Sequence, residues 1–248
     1  MRIDSLALAI GLLAVCPLPS GAAQSSDLQR LLDTLREEAG ASGAILGIYT
    51  EPGQQQVLAS GYAERETQRS MSPEAPYYLG SISKTYTAVT VLRLAEEGRH
   101  SLDDTLDRFL PSFPEGSKIN IRHLLAQTSG LKDFYEYLYY RPDREEMIAL
   151  VTKEWTQPEL LDLAGRFGRW FEPGTDWTYS NVNYYLLGVI VERASGLSLA
   201  DAYLRYIYAP PEIRRTWLAW HEDARSPLPV PTGYLGPVKD WKHSEMFG

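Results

Sequence analysis

Cysteine is all but missing from this chain: Cys16 is the only one in 248 residues. It lies in a leading stretch, Met1 to Ala23, that reads as an export signal. A mature chain cut after Ala23 would hold no disulfide, no thiol nucleophile and no cysteine-based metal site. Runs of Lys and Arg are missing too. With a formal net charge of -8, that argues against nucleic acid or an anionic membrane surface as a partner. No apolar run is long enough to span a bilayer, so stable membrane insertion is not expected. The histidines, His100, His123, His221 and His243, lack ligand spacing and read as solvated or core side chains; no metal is expected. A Gly-x-Ser-x-Gly elbow, a phosphate-binding loop and internal repeats are absent, and no cofactor is expected.

What is present is ordinary for a globular protein, with 44% hydrophobic and 23% charged residues. That suffices for one large domain or two small ones. In the leader, Arg2 opens a short n-region, Leu6 to Val15 forms an apolar core, and Gly21-Ala22-Ala23 offers small residues for cleavage. Val15 is bulky for a lipoprotein box at Cys16, so free export to the periplasm or the medium is favoured over a lipid anchor.

Ser26 or Asp27 is expected to cap a first helix with Leu28, Leu31, Leu32 and Leu35 on one face and Gly40 ending it. Residues 44–49 and 56–62 read as strands joined by the turn Glu51-Pro52-Gly53, a hairpin. The next helix places Ile82, Tyr86, Val89 and Arg93 on one face, has Leu92 and Ala95 widening its apolar side, and stops at Gly98. Further helices are expected at 102–110, at 121–127 after an Asn120 cap, and at 144–154, 158–167, 184–194 and 199–208. The proline-rich last forty residues read as mostly irregular. The aromatic cluster Phe134 to Tyr140 reads as packing rather than as a binding groove. A lone hairpin is marginal in water, and no strong strand follows residue 62, so the sheet reads as lacking members.

The chemistry is carried by two short motifs. Ser81 stands at the start of its helix with Lys84 one turn later on the same face. Free N–H groups and the positive end of the helix dipole there favour a developing anion, which is what a serine nucleophile with a lysine base requires. The bland alternative for Ser81 is a helix cap. A second Ser-x-x-Lys, Ser129 to Lys132, follows a helix and adjoins Gly130; it reads as a structural C-cap, where the dipole has the wrong sign. In Glu172-Pro173-Gly174-Thr175-Asp176-Trp177-Thr178-Tyr179-Ser180-Asn181, a turn leads into a helix and lets Tyr179 and Asn181 face one pocket. An ammonium at Lys84 would favour the phenolate of Tyr179, against a reference pKa near ~10.

Several blocks in order then resemble the serine β-lactamase-related hydrolases: class C β-lactamases, D-alanyl-D-alanine carboxypeptidases and their esterase relatives. They are Gly80-Ser81-Ile82-Ser83-Lys84-Thr85, Gly98 to Asp104, Ile121 to Leu131, Glu172-Pro173-Gly174 with Tyr179-Ser180-Asn181, and Tyr185 to Gly196. The resemblance implies an α/β (α+β) sandwich of the β-lactamase/penicillin-binding-protein type with a helical domain and an incomplete sheet. Its parts would be a signal peptide at 1–23, an α/β portion at 24–98 carrying the nucleophile helix, a helical domain at 99–220 and an irregular segment at 221–248. It further implies acylation of Ser81, proton transfer by Lys84 and Tyr179, and a substrate amide held by Asn181. The substrate would be a β-lactam, a D-Ala-D-Ala-type peptide or a simple ester, and the protein a monomer. Two departures stand out. Gln127 occupies a position that is usually His, and the third family motif, Lys/His-Thr/Ser-Gly on a late strand, has only the echo Pro231-Thr232-Gly233. Since that strand supplies an oxyanion donor, the resemblance implies a truncated member. The alternative is an inactive remnant, at most a weak binder of cell-wall peptide or β-lactam.

Overall fold

The computed structural model describes residues 21–51, 54–135, 138, 144–151, 153–208, 216, 218 and 231. Residues 1–20, Cys16 among them, the turn residues Pro52 and Gly53, Glu136, Tyr137, Tyr139, Tyr140, Thr232, Gly233, both late histidines and most of the proline-rich tail lie outside the described residues. The chain divides into two compact units, the first running to Pro76 and the second starting at Tyr77.

In the first unit, helix α1 spans Gly21–Glu38. It starts ahead of the expected cap at Ser26 or Asp27, because Ala22, Ala23 and Gln24 are good helix formers and extend it. Strands β1 (Gly43–Glu51) and β2 (Gln54–Glu64) pair antiparallel from Gly43↔Gly61 to Glu51↔Gln54. A third strand, β3 (Arg69–Ser70), adds to β2 and gives the order β1-β2-β3. Two residues carry no readable period, which is why the sequence pattern missed it. α1 meets β2 largely through polar groups: Arg36 Nε donates to Ser60 Oγ at 2.8 Å, and Ser60 Oγ donates to Asp33 Oδ1 at 2.5 Å. Of the expected leucine face only Leu32 is buried, while Leu31 and Leu35 are more than half exposed.

In the second unit, a 3-10 turn at Gly80–Ile82 runs into helix α2 (Ser83–Glu96). Gly98, at φ 70°, ends it, with Arg99 N donating to Leu94 O at 3.0 Å. The buried stripe of α2 is Thr87, Thr90, Val91 and Leu94, not the expected face: Ile82, Val89 and Leu92 are exposed. Thr90 saturates its hydroxyl on Tyr86 O, and Thr87 shares a hydrogen bond with the Tyr203 hydroxyl. Hydrogen-bonded threonines sit in the core at little cost, and a purely apolar reading of the helix cannot see them.

Residues 102–110 do not form the expected helix; only Leu106–Arg108 makes a 3-10 turn. Their backbone pairs instead with the next segment: Leu106 N donates to Ile119 O, Ile121 N to Asp104 O and Arg122 N to Leu102 O. Helix α3 (Ile121–Leu125) starts on the expected Asn120 cap, in a box with His123, and is shorter than expected because Gln127 turns to φ 61°. Helix α4 spans Arg144–Val151, and α5 (Gln157–Arg166) is boxed by Thr156 and Glu159. Helix α6 (Asn181–Ser195) is buried along most of its length and ends on left-handed Gly196. Helix α7 (Leu199–Tyr203) runs into a π-helical turn, Leu204–Tyr208.

The core of this unit joins Val91 and Leu94 of α2 to Leu106, Ile119, Ile121 and Leu124, and to Val182, Leu186, Leu187, Ile190 and Val191 of α6. Phe134 and Leu138 of the aromatic cluster are buried in it, so these two pack as expected; Phe134 lies edge-on to Tyr185. The whole is a mixed helix-and-sheet fold whose sheet has three strands among the described residues.

Candidate active site

Ser81 lies in the 3-10 turn that opens α2, and Lys84 follows in its first turn. Tyr179 ends the loop before α6, and Asn181 is that helix's first residue. Because α2 and α6 pack along buried faces, these two helix starts come together. Tyr179 Oη lies 2.8 Å from Ser81 Oγ, and Lys84 Nζ lies 3.3 Å from it. Lys84 Nζ donates to Asn181 Oδ1 at 2.7 Å and lies 5.1 Å from the centre of the Tyr179 ring. Tyr179 Oη is also 3.5 Å from Asn181 Oδ1. All four residues singled out from the sequence therefore meet, across 98 positions of chain between the serine and the phenol. Ser81 and Tyr179 are exposed, as a group that must meet substrate has to be, whereas Lys84 and Asn181 are half-buried.

The loop that carries Tyr179 is held from behind. Segment 127–132 runs beside 168–178: Leu131 bridges Arg169, Trp170 N donates to Gly130 O, Gly174 N to Thr128 O and Thr178 N to Gln127 O. Gly130 is required there. At φ 76° a Cβ would come within 2.2 Å of Phe171 O. Gln127 Oε1 accepts from Ser180 N at 2.9 Å and from Asn183 Nδ2 at 2.5 Å. Ser129 Oγ donates to Asn183 Oδ1 at 2.5 Å and accepts from Leu131 N at 3.1 Å. The second Ser-x-x-Lys is thus used structurally, with Ser129 fully buried in a hydrogen-bonded network.

Two features were not foreseen. The first is this Gln127–Asn183–Ser129 network, whose members are 53 to 56 positions apart in the bonds that count and leave no local trace. The second is Asp133. Its Oδ2 accepts from Asn181 N at 2.9 Å and from Asn181 Nδ2 at 2.8 Å, and its Oδ1 accepts from Tyr135 N at 2.9 Å. Ser180, the residue at the cap position of α6, makes no side-chain capping bond; Asp133 satisfies the free N–H of Asn181 in its place. Asn181 is therefore not the cap that its residue type suggests.

The phenols around the centre differ in environment. Tyr135 is exposed as a residue, but shielding of its hydroxyl, helped by the neighbouring Asp133 and Tyr179, pushes that group above its ordinary range. Burial and Tyr179 do the same to Tyr184, whose ring lies 5.7 Å from Lys84 Nζ. Both stay neutral in this setting. The arrangement offers one exposed hydroxyl faced by an amine and a phenol, at the start of a helix whose amide groups favour negative charge.

Comparison with known proteins identifies the family. The profile of the family described as Beta-lactamase matches residues 28–240. Penicillin-binding protein 4* of Bacillus subtilis (strain 168) is 35% identical over 223 residues, 89% of this chain and 47% of that protein. Esterase EstB of Burkholderia gladioli is 32% identical over 73% of this chain and 48% of its own. The crystal structure of D-amino acid amidase from Ochrobactrum anthropi SV3 complexed with L-phenylalanine amide superposes with a TM-score of 0.72 at 26% identity. That match covers 86% of this chain and 58% of the amidase. The chain thus spans about half the length of these curated relatives. It belongs to the Beta-lactamase family.

Proposed function

We propose that the protein is an exported serine hydrolase that cleaves an amide or ester through an acyl-enzyme on Ser81. The observation that carries this reading is the 2.8 Å approach of the Tyr179 hydroxyl to Ser81 Oγ, with Lys84 on the same oxygen at 3.3 Å. In the proposed step Lys84 takes the Ser81 proton while Oγ bonds to the acyl carbon. Tyr179 relays that proton to the departing amine or alcohol, and water then releases the acyl group by the same route reversed. Asn181 anchors the substrate's amide or carbonyl edge. The related proteins include an esterase and a D-amino acid amidase, which fits an acyl-transfer centre tolerant of both bond types. The substrate class follows: a simple ester, a D-amino acid derivative or D-Ala-D-Ala-type peptide, or a β-lactam.

A second reading, an inert binder of cell-wall peptide or β-lactam, would hold if Pro231-Thr232-Gly233 had to serve as the oxyanion motif, because Pro231 brings neither an N–H nor a cation there. Loss of one such donor costs about 10²–10³ in rate. Incubation with a p-nitrophenyl ester, a chromogenic cephalosporin and a fluorescent penicillin separates the two, with Ser81→Ala as control. Ser81-dependent turnover supports the hydrolase; a folded protein that turns over none of the three supports the binder.

A further inference from the structure

The Asn181 amide has two different ends, and its polarity decides what the catalytic lysine meets. A carboxylate only accepts hydrogen bonds. Asp133 Oδ2, bonded to both Asn181 N and Asn181 Nδ2, therefore fixes the NH₂ end away from the lysine and turns Oδ1 toward Lys84 Nζ at 2.7 Å. The carboxylate is itself held. Tyr135 N donates to its other oxygen, and the adjoining backbone is tied down by Lys132 N donating to Gly168 O and by the Leu131–Arg169 bridge. It reaches Asn181 from 48 positions away, and its hydrogen bonds go to Asn181 and Tyr135 rather than to Ser81 or Lys84.

We infer that Asp133 is a positioning residue for the proposed hydrolysis: through the Asn181 amide it sets where Lys84 Nζ stands relative to Ser81 Oγ. With a neutral amide at 133, an NH₂ group can face the Asn181 NH₂. Asn181 is then free to turn its own donor toward the lysine and push it from the serine. The inference rests on the hydrolase reading above. Its test measures kcat and KM for p-nitrophenyl butyrate in the unaltered chain, Asp133→Asn, Asn181→Ala, the double variant and Ser81→Ala, with thermal unfolding of each.

Displacing a reacting group by about 1 Å costs on the order of 10² in rate, so Asp133→Asn is expected to lower kcat by about 10² with KM little changed. In the Asn181→Ala background the same substitution is expected to change kcat less than about twofold, because the group it acts through is gone. An unchanged kcat in Asp133→Asn, or equal falls in both backgrounds, overturns the inference and leaves the hydrolase reading intact. Turnover that is the same in Ser81→Ala as in the unaltered chain overturns both.

Discussion

From Tyr77 onward, Leu94, Leu106, Ile119, Ile121, Leu124, Leu186, Leu187 and Ile190 are fully shielded from water. Up to Pro76, the buried apolar side chains among the described residues are Leu32, Ala63 and Ala75. The first unit is joined instead by polar contacts such as Arg36–Ser60–Asp33, in which the Ser60 hydroxyl and Gln29 hold the Asp33 carboxyl below its usual range. The difference bears on the proposed catalysis. In that reading Ser81 and Tyr179 have to be exposed and yet held to within tenths of an ångström, and two helix starts fixed by a dry core meet both demands. The polar α1–β2 contact would give no such precision.

Four perturbations sharpen that contrast. The largest effect is expected from the centre itself. Tyr179→Phe removes the oxygen 2.8 Å from Ser81 and is expected to slow ester turnover by about 10²–10⁴ without lowering the urea midpoint, because Tyr179 is exposed. Steady-state rates and urea denaturation on one preparation check it.

Second, Leu186→Ala in α6 is expected to cost about 3 kcal/mol, since it opens a cavity in the core that joins the helices carrying the site. Leu31→Ala in the first unit, at a half-exposed position, is expected to stay within about 0.5 kcal/mol. Comparable losses in paired urea titrations would break the comparison.

Third, Gln127→Ala leaves the Asn183 amide and Ser180 N–H without their buried acceptor and is expected to cost about 1–3 kcal/mol. It should also lower kcat, because the loop bearing Tyr179 loses its rear support.

The smallest effect concerns pH. Burial holds His100 below its ordinary pKa of 6.5. The unfolded chain takes up that proton first, so stability is full above pH 6.5 and falls as pH drops from 6.5 toward the lower folded value. Thermal unfolding between pH 8 and 5 is expected to show a decline in that window that is flattened in His100→Phe.

Much of the site was legible because its chemistry is local in pairs. Ser81 and Lys84 share one helical turn, and Tyr179 and Asn181 flank one loop-to-helix junction. The Asn120 and Gly196 helix ends were readable for the same reason: a cap is decided by one or two residues. What was not legible depended on partners far along the chain. The buried face of α2 holds Thr87 and Thr90, admitted because each hydroxyl has a partner. Residues 102–110 have helical spacing, but Leu106 N, Leu102 O and Asp104 O are taken by residues 119–122. Asp133 follows Gly130 with nothing in its own neighbourhood to mark it; its two bonds to Asn181 exist only after the chain has folded.

The central claim is that one oxygen, Ser81 Oγ, becomes covalently acylated because Lys84 and Tyr179 face it. Intact-mass measurement after brief exposure to p-nitrophenyl butyrate or a penicillin tests this most directly. The account predicts a single acyl adduct, mapped by peptide digestion to Ser81, absent from Ser81→Ala and forming far more slowly in Tyr179→Phe. An adduct that persists in Ser81→Ala, or no adduct on the folded protein with any of these reagents, would contradict it.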